Sequence, residues 1–236
     1  MEERLIGLEN NDTIYTRTEM MLGTNAVERL KASHVAVIGV GGVGGFTAEA
    51  LARAGVGKIT LVDSDKVAVS NINRQIIATH STVGMYKTEA MKARIADINP
   101  ECLVSTVSEF YSEENEIDLS DFDYIADCID SVKSKIHLVT KAKEADRCII
   151  SSMGAGNKLD PTRFTVADIS KTHTDPLSKV IRTELRKRGI NHLKVVFSDE
   201  PPINPTGERT PGSISFVPSV VGLIIAGEMI KDLIKE

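Results

Sequence analysis

Tryptophan is absent from this 236-residue chain, and aromatic residues of all kinds make up only 4%. A surface that reads nucleobases chiefly by stacking is therefore poorly supplied. Cysteine is scarce too: Cys102, Cys128 and Cys148 stand 26 and 20 residues apart, with no CxxC pair. That spacing excludes a four-cysteine zinc knuckle and argues against a disulfide scaffold. Positive charge is not in excess. Lys and Arg total 28 against 33 Asp and Glu, a formal charge of −5. This argues against nucleic-acid binding over the whole surface and leaves room for a local basic patch. No apolar run reaches the roughly 20 residues of a spanning helix. The longest, 214–227, is interrupted by Pro218 and serines and followed by Glu228, Lys231 and Asp232, so it reads as a buried core helix. The opening Met1-Glu2-Glu3-Arg4 has no basic stretch leading into an apolar one, so no signal peptide is expected. The expectation is a soluble cytoplasmic protein with no stable membrane span.

What is present is ordinary globular material: 42% hydrophobic and 26% charged residues. A helical segment over 14–31 precedes a short apolar strand at 34–40. Helices are expected at 46–54, 85–98 and 131–145, and strands at 58–63, 103–107, 124–128 and 148–152. Strands alternating with helices imply an α/β fold, a Rossmann-like, mostly parallel sheet with helices on both faces. The rhythm then changes. Strands at 163–169 and 194–198 read as an antiparallel extension, and 177–189 as a basic helix. Residues 198–212 hold four prolines and form a loop, and 220–235 is a closing helix. We expect a single domain: a helical arm (1–33), a nucleotide-binding part (34–153) and a substrate-facing, dimerising part (154–236).

Gly39-Val40-Gly41-Gly42-Val43-Gly44 fits G-x-G-x-x-G between a strand and a helix. Such glycines let the backbone bend tightly and let phosphate oxygens reach amides at a helix N-terminus. Asp63 ends the next strand, 19 residues after Gly44, where a carboxylate can accept from ribose hydroxyls. The glycines alone do not separate NAD from ATP. Arg74 and Lys87 further on could neutralise a polyphosphate, with Asp65 and Asn71 nearby in sequence, and Asp130 after the fourth strand could hold Mg2+ or cap the following helix. A nicotinamide enzyme has no call for this pair of cations. Cys128 within a strand and Cys148 at the start of one read as core residues, with no neighbouring cations to mark a reactive thiolate.

The glycine run, Arg53-Ala54-Gly55-Val56-Gly57, Asp63, Asn71-x-x-Arg74, Lys87 and Asp130 together resemble the E1-like (ThiF/MoeB/HesA) adenylating superfamily. The likeness covers residues 15–235. Within the superfamily the sequence is most similar to the branch that dehydrates threonylcarbamoyladenosine in tRNA, through Asn71-Ile72-Asn73-Arg74-Gln75-Ile76, residues 126–135, Gly154-Ala155-Gly156 with Asp160-Pro161-Thr162, and residues 168–177. The resemblance implies that Asp63 binds ribose, that Asn71, Arg74 and Lys87 address the phosphates of ATP, and that Asp130 serves Mg2+ and the α-phosphate. It also implies a homodimer in which Arg17 reaches the neighbour's site, and it leaves room for a sulfur-relay protein partner.

Adenylation asks little covalent help from a protein. A carboxylate is already ionised at neutral pH, so the enzyme must hold two anions together and stabilise the departing pyrophosphate. The acyl group then needs a nucleophile. Residues 149–236 contain no cysteine, which excludes an enzyme thioester in that part of the chain. The resemblance implies instead that the carboxylate on adenosine 37 of tRNA is activated and captured by a nitrogen of the same modification, with net loss of water. Lys179, Arg182, Arg186, Lys187 and Arg188 form the local basic patch that a tRNA partner requires, or a solvated helix face. Adenylation of a ubiquitin-like sulfur-carrier protein is the alternative, and a non-catalytic nucleotide-binding or NAD-binding module is a third reading.

Overall fold

Seven strands share one sheet in the order β3-β2-β1-β4-β5-β7-β6. The computed structural model describes residues 12–203, 207–208 and 210–235. The first eleven residues of the expected arm and parts of the proline-rich loop lie outside that range. β1 (His34–Ile38), β2 (Lys58–Val62), β3 (Leu103–Val107), β4 (Tyr124–Asp127) and β5 (Cys148–Ser152) run parallel. β7 (Lys194–Ser198) joins β5 in parallel, and β6 (Phe164–Asp168) pairs with β7 antiparallel. The expected extension is therefore continuous with the main sheet, and only its outer strand reverses direction.

The period-two geometry of a strand, with both faces covered, explains why the central strands β1, β2 and β4 are largely apolar and buried. In β1, Val35 and Val37 point into one core with Leu30, Leu51, Ile59, Ile95 and Val221. Ala36 and Ile38 point into the other, with Leu138, Val139, Ile181 and Leu185. Each fully buried side chain of this size contributes about 1.5–3 kcal/mol. The first core lies under α2 (Thr24–Ala32), α3 (Gly44–Ala54), α4 (Lys87–Ile98) and α7 (Phe216–Leu233). The second lies under α5 (Val132–Glu144) and α6 (Pro176–Lys187).

Two elements differ from expectation for local reasons. The helical segment at 14–31 breaks into α1 (Thr16–Leu22) and α2, because Gly23 adopts φ +84° between them. The closing helix begins at Phe216, earlier than expected, because Pro218 sits in its first turn, where a missing N–H costs nothing. None of the described helices is long and apolar enough to cross a membrane.

Candidate active site

The chain leaves β1 toward β2 and β3, then returns to the other side of β1 with β4, β5 and β7. Loops therefore diverge at the β1–β4 seam, and a crevice opens beyond the carboxyl ends of those two strands. A cleft of about 620 Å³ lies there, lined by Gly39, Gly41, Gly42, Asp63, Asp65, Arg74, Lys87 and Asp130 from the residues expected at the nucleotide site.

The glycines do different work. A Cβ at Gly44 would lie 1.8 Å from the carbonyl oxygen of Gly39, so this glycine lets α3 approach β1. A Cβ at Gly41 would meet nothing nearer than Gln75 Nε2 at 3.8 Å. No contact within the protein demands a bare backbone at Gly41, and it faces the cleft, as a phosphate cradle requires. Gln75 Oε1, also at the cleft, is buried without a hydrogen bond among the described residues.

Asp63 accepts from the backbone N–H of Val40 at 2.8 Å through Oδ2 and from that of Asp65 at 2.8 Å through Oδ1. It thereby ties the end of β2 to the glycine loop. Burial raises its pKa, partly offset by the nearby Lys87 ammonium. Lys87 is buried, with Nζ 2.7 Å from Asp65 Oδ2 and 3.8 Å from Asp63 Oδ2. Arg74 is half-buried and donates to the carbonyl of Ser70 at 2.9 Å and to Asn73 Oδ1 at 2.8 Å. Asp130 is exposed and makes no hydrogen bond or ion pair among the described residues. It does not cap α5; Ser131 does, accepting from the N–H of Ser134. The last residue of β4, Asp127, forms a wholly buried pair with Lys135 at 2.8 Å and accepts from the N–H of Ile129, which anchors the turn carrying Asp130.

Three residues expected at the site do not line this cleft: Asn71, Arg17 and Gly44, the last of which serves the packing of α3 on β1. Asn71 accepts from the N–H of Ala68 at 3.0 Å, and its own carbonyl receives the N–H groups of Arg74 and Gln75. It shapes the turn that presents Arg74, as asparagine commonly does. Arg17 is exposed on α1, with no side-chain partner among the described residues, and does not reach the cleft of its own chain. The cysteines also need correction. Cys148 is exposed because it begins β5 at the sheet's end, and Cys128 lines the cleft half-buried. Burial pushes the Cys128 thiol up to about 12, so it stays protonated and is a poor nucleophile.

The basic patch is partly consumed internally. Arg182 donates to the carbonyl of Thr172 at 2.8 Å and to its hydroxyl, stapling α6 to the preceding turn. Lys187 and Arg188 both pair with Glu184. Lys179 and Arg186 are exposed and have no side-chain partner among the described residues. Sequence reasoning did not single out Asp175 and Lys158 as cleft residues. Asp175 caps α6 and accepts from the N–H of Gly154 at 3.0 Å, fixing the turn after β5. The Gly154-Ala155-Gly156 run and the matching stretch 168–177 were the signals pointing there.

A doubly wound sheet with an open glycine loop after β1, a carboxylate at the end of β2 and two cations at its switch point defines an α/β protein of the nucleotide-binding kind. The chain belongs to the ThiF family, whose profile matches residues 15–236. It is 51% identical over 241 residues to the tRNA threonylcarbamoyladenosine dehydratase of Bacillus subtilis, covering 94% of this chain and 95% of that protein. It is 38% identical over 203 residues to the Escherichia coli protein of the same name, covering 82% and 76%. The crystal structure of E. coli tRNA N6-threonylcarbamoyladenosine dehydratase in complex with ATP superposes with a TM-score of 0.85 at 34% identity, covering 93% of each chain.

Proposed function

We propose that this chain is an ATP-dependent tRNA-modifying enzyme that adenylates the carboxylate of N6-threonylcarbamoyladenosine at position 37. A nitrogen of the same modification then closes a ring with net loss of water. The observation that carries this reading is the open approach at Gly41 between Arg74, Lys87 and the unpartnered Asp130, in a cleft whose one cysteine among the described residues, Cys128, is held protonated. The names of the B. subtilis and E. coli relatives support the tRNA substrate.

The chemistry follows from charge. Asp63 orients the ribose, and the amides around Gly41 receive phosphate oxygens. Lys87 is held beside Asp65, and incoming phosphates compete for its remaining donors. Arg74 stabilises negative charge accumulating on the leaving pyrophosphate. One exposed carboxylate over a phosphate loop suits Mg2+, which takes one or two carboxylates and completes its shell with phosphate oxygens and water. Bound at Asp130, the ion would neutralise charge on the phosphates. Intramolecular capture needs no enzyme thiol. We also propose a homodimer in which Arg17 completes the partner's site; its lack of a partner, and the exposure of Met20 and Met21 on the same helix, support this. A tRNA substrate supports a cytoplasmic location.

The test is incubation with ATP, Mg2+ and tRNA with or without the threonylcarbamoyl group, followed by mass analysis of nucleosides. Loss of one water only from the modified tRNA is the expected result. AMP formation with a Gly-Gly-ended carrier protein, and none with tRNA, would favour the sulfur-carrier reading.

A further inference from the structure

Beyond β5 the cleft wall carries a lysine that the nucleotide chemistry leaves unused. Lys158 lines the cleft and is only 4% exposed. Its ammonium donates to the backbone carbonyl of Glu200 at 2.7 Å and makes no second hydrogen bond among the described residues. An ammonium has three donors, so two remain for a ligand.

The nearest carboxylates are committed elsewhere. Asp175 accepts from the N–H groups of Gly154 and Leu177 and from the Ser178 hydroxyl. The Glu200 carboxylate accepts from the N–H groups of Leu159 and Asp160. Burial pushes the Lys158 pKa below the usual lysine range, although Asp175 and Glu200 pull the other way. A buried ammonium with unfilled donors at a cleft wall can take an arriving acceptor oxygen.

Position says which anion. Asp63 and Lys87 follow β2, whereas Lys158 follows β5, and β1 and β4 lie between those strands. Three strand spacings separate the two banks by about 14 Å. In the function proposed above the nucleotide takes the β2–β1 bank, which leaves the β5 bank to face the molecule to be activated.

We propose that Lys158 receives the carboxylate of the acyl substrate and holds it toward the α-phosphorus; this rests on the adenylating function proposed above. In that step a carboxylate oxygen bonds to the α-phosphorus, and the bond from phosphorus to pyrophosphate breaks, its electron pair leaving with pyrophosphate. No proton moves, and Lys158 remains an ammonium.

Two measurements test this. Lys158→Gln should keep ATP affinity within about threefold and lose about 100-fold in kcat/KM for threonylcarbamoylated tRNA. Lys158→Ala should recover part of its activity when propylammonium is added, which a purely structural lysine would not permit. Near-normal kcat/KM for Lys158→Gln would overturn the proposal. The wild-type protein supplies a second arm that needs no variant. Carbodiimide treatment of its complex with modified tRNA should give an amide between Lys158 and the threonylcarbamoyl carboxylate, mapped by mass spectrometry. Coupling only at other lysines, in protein that turns over, would overturn it equally. A wild-type protein that leaves modified tRNA unchanged would overturn the tRNA reading itself, and the role of Lys158 with it.

Discussion

Gly41 and Gly44 stand three residues apart in one loop, yet substitution should separate them cleanly. Gly41→Ala places a methyl group in open space beside Gln75 Nε2, so the fold should be retained while ATP affinity falls about tenfold or more. Gly44→Ala drives a methyl group into the Gly39 carbonyl and should lower the melting temperature before any question of binding arises. Thermal melts and ATP titration of the two variants test this contrast. Arg74→Ala and Asp130→Ala should each lose about 100-fold or more in turnover, with stability changed by less than about 1 kcal/mol. Both side chains sit at the cleft with few or no internal contacts, so near-full rate in either would refute its assignment. The glycine loop and Asp63 were legible because their chemistry depends on short, fixed spacing. Lys158 was not, because its partner Glu200 lies 42 residues away and only the folded loops bring them together. Asn71 illustrates a different case: its spacing from Arg74 fits a turn, and in the fold its Oδ1 accepts from the N–H of Ala68 within that turn.

Among the elements, α7 is held by more than its apolar face. Near its end Asp232 accepts from the Tyr124 hydroxyl at 2.8 Å and pairs with Lys194 at 2.5 Å, joining the helix to β4 and β7. Hydrogen bonds from Lys194, Lys235 and Tyr124 outweigh the effect of burial and hold the Asp232 carboxyl down at about 2, against an ordinary 3.8. A carboxyl whose folded pKa is depressed stabilises the fold fully above its unfolded value. That contribution should shrink as pH falls from about 4 toward 2. Urea melts across this interval should show the loss, and Asp232→Asn should blunt it while costing about 1–3 kcal/mol at neutral pH. Strands buried on both faces were readable as unbroken apolar runs. Helix ends were less so, because Gly23 could sit inside a helix or end one, and Pro218 is tolerated only in a first turn.

At the scale of the whole molecule, an acidic protein must meet tRNA through a restricted surface. Lys179→Ala and Arg186→Ala should each weaken binding for all tRNA sequences and reduce the salt slope by about one. Arg182→Ala should instead loosen α6, since that guanidinium is bound to Thr172. Filter binding across a salt series, with melting curves, separates the two effects. If protomers share sites, mixing inactive Arg17→Ala with inactive Asp130→Ala protein should restore measurable turnover, because one mixed site then holds both wild-type groups. Unmixed activity levels after subunit exchange would refute the shared site.

The order of the sheet has a practical consequence. Everything through β3 builds one bank of the cleft and everything from β4 builds most of the other, with exposed residues 113–116 in the connection between them. A nick in that connection would leave two complementary fragments, rejoined by the β1–β4 ladder and the contact of α3 with α7. If nucleotide and acyl group bind across that join as proposed, the ligand pair would act as a clamp on the reunited halves. The fold could thus serve as a split reporter whose signal rises with the very substrates it activates.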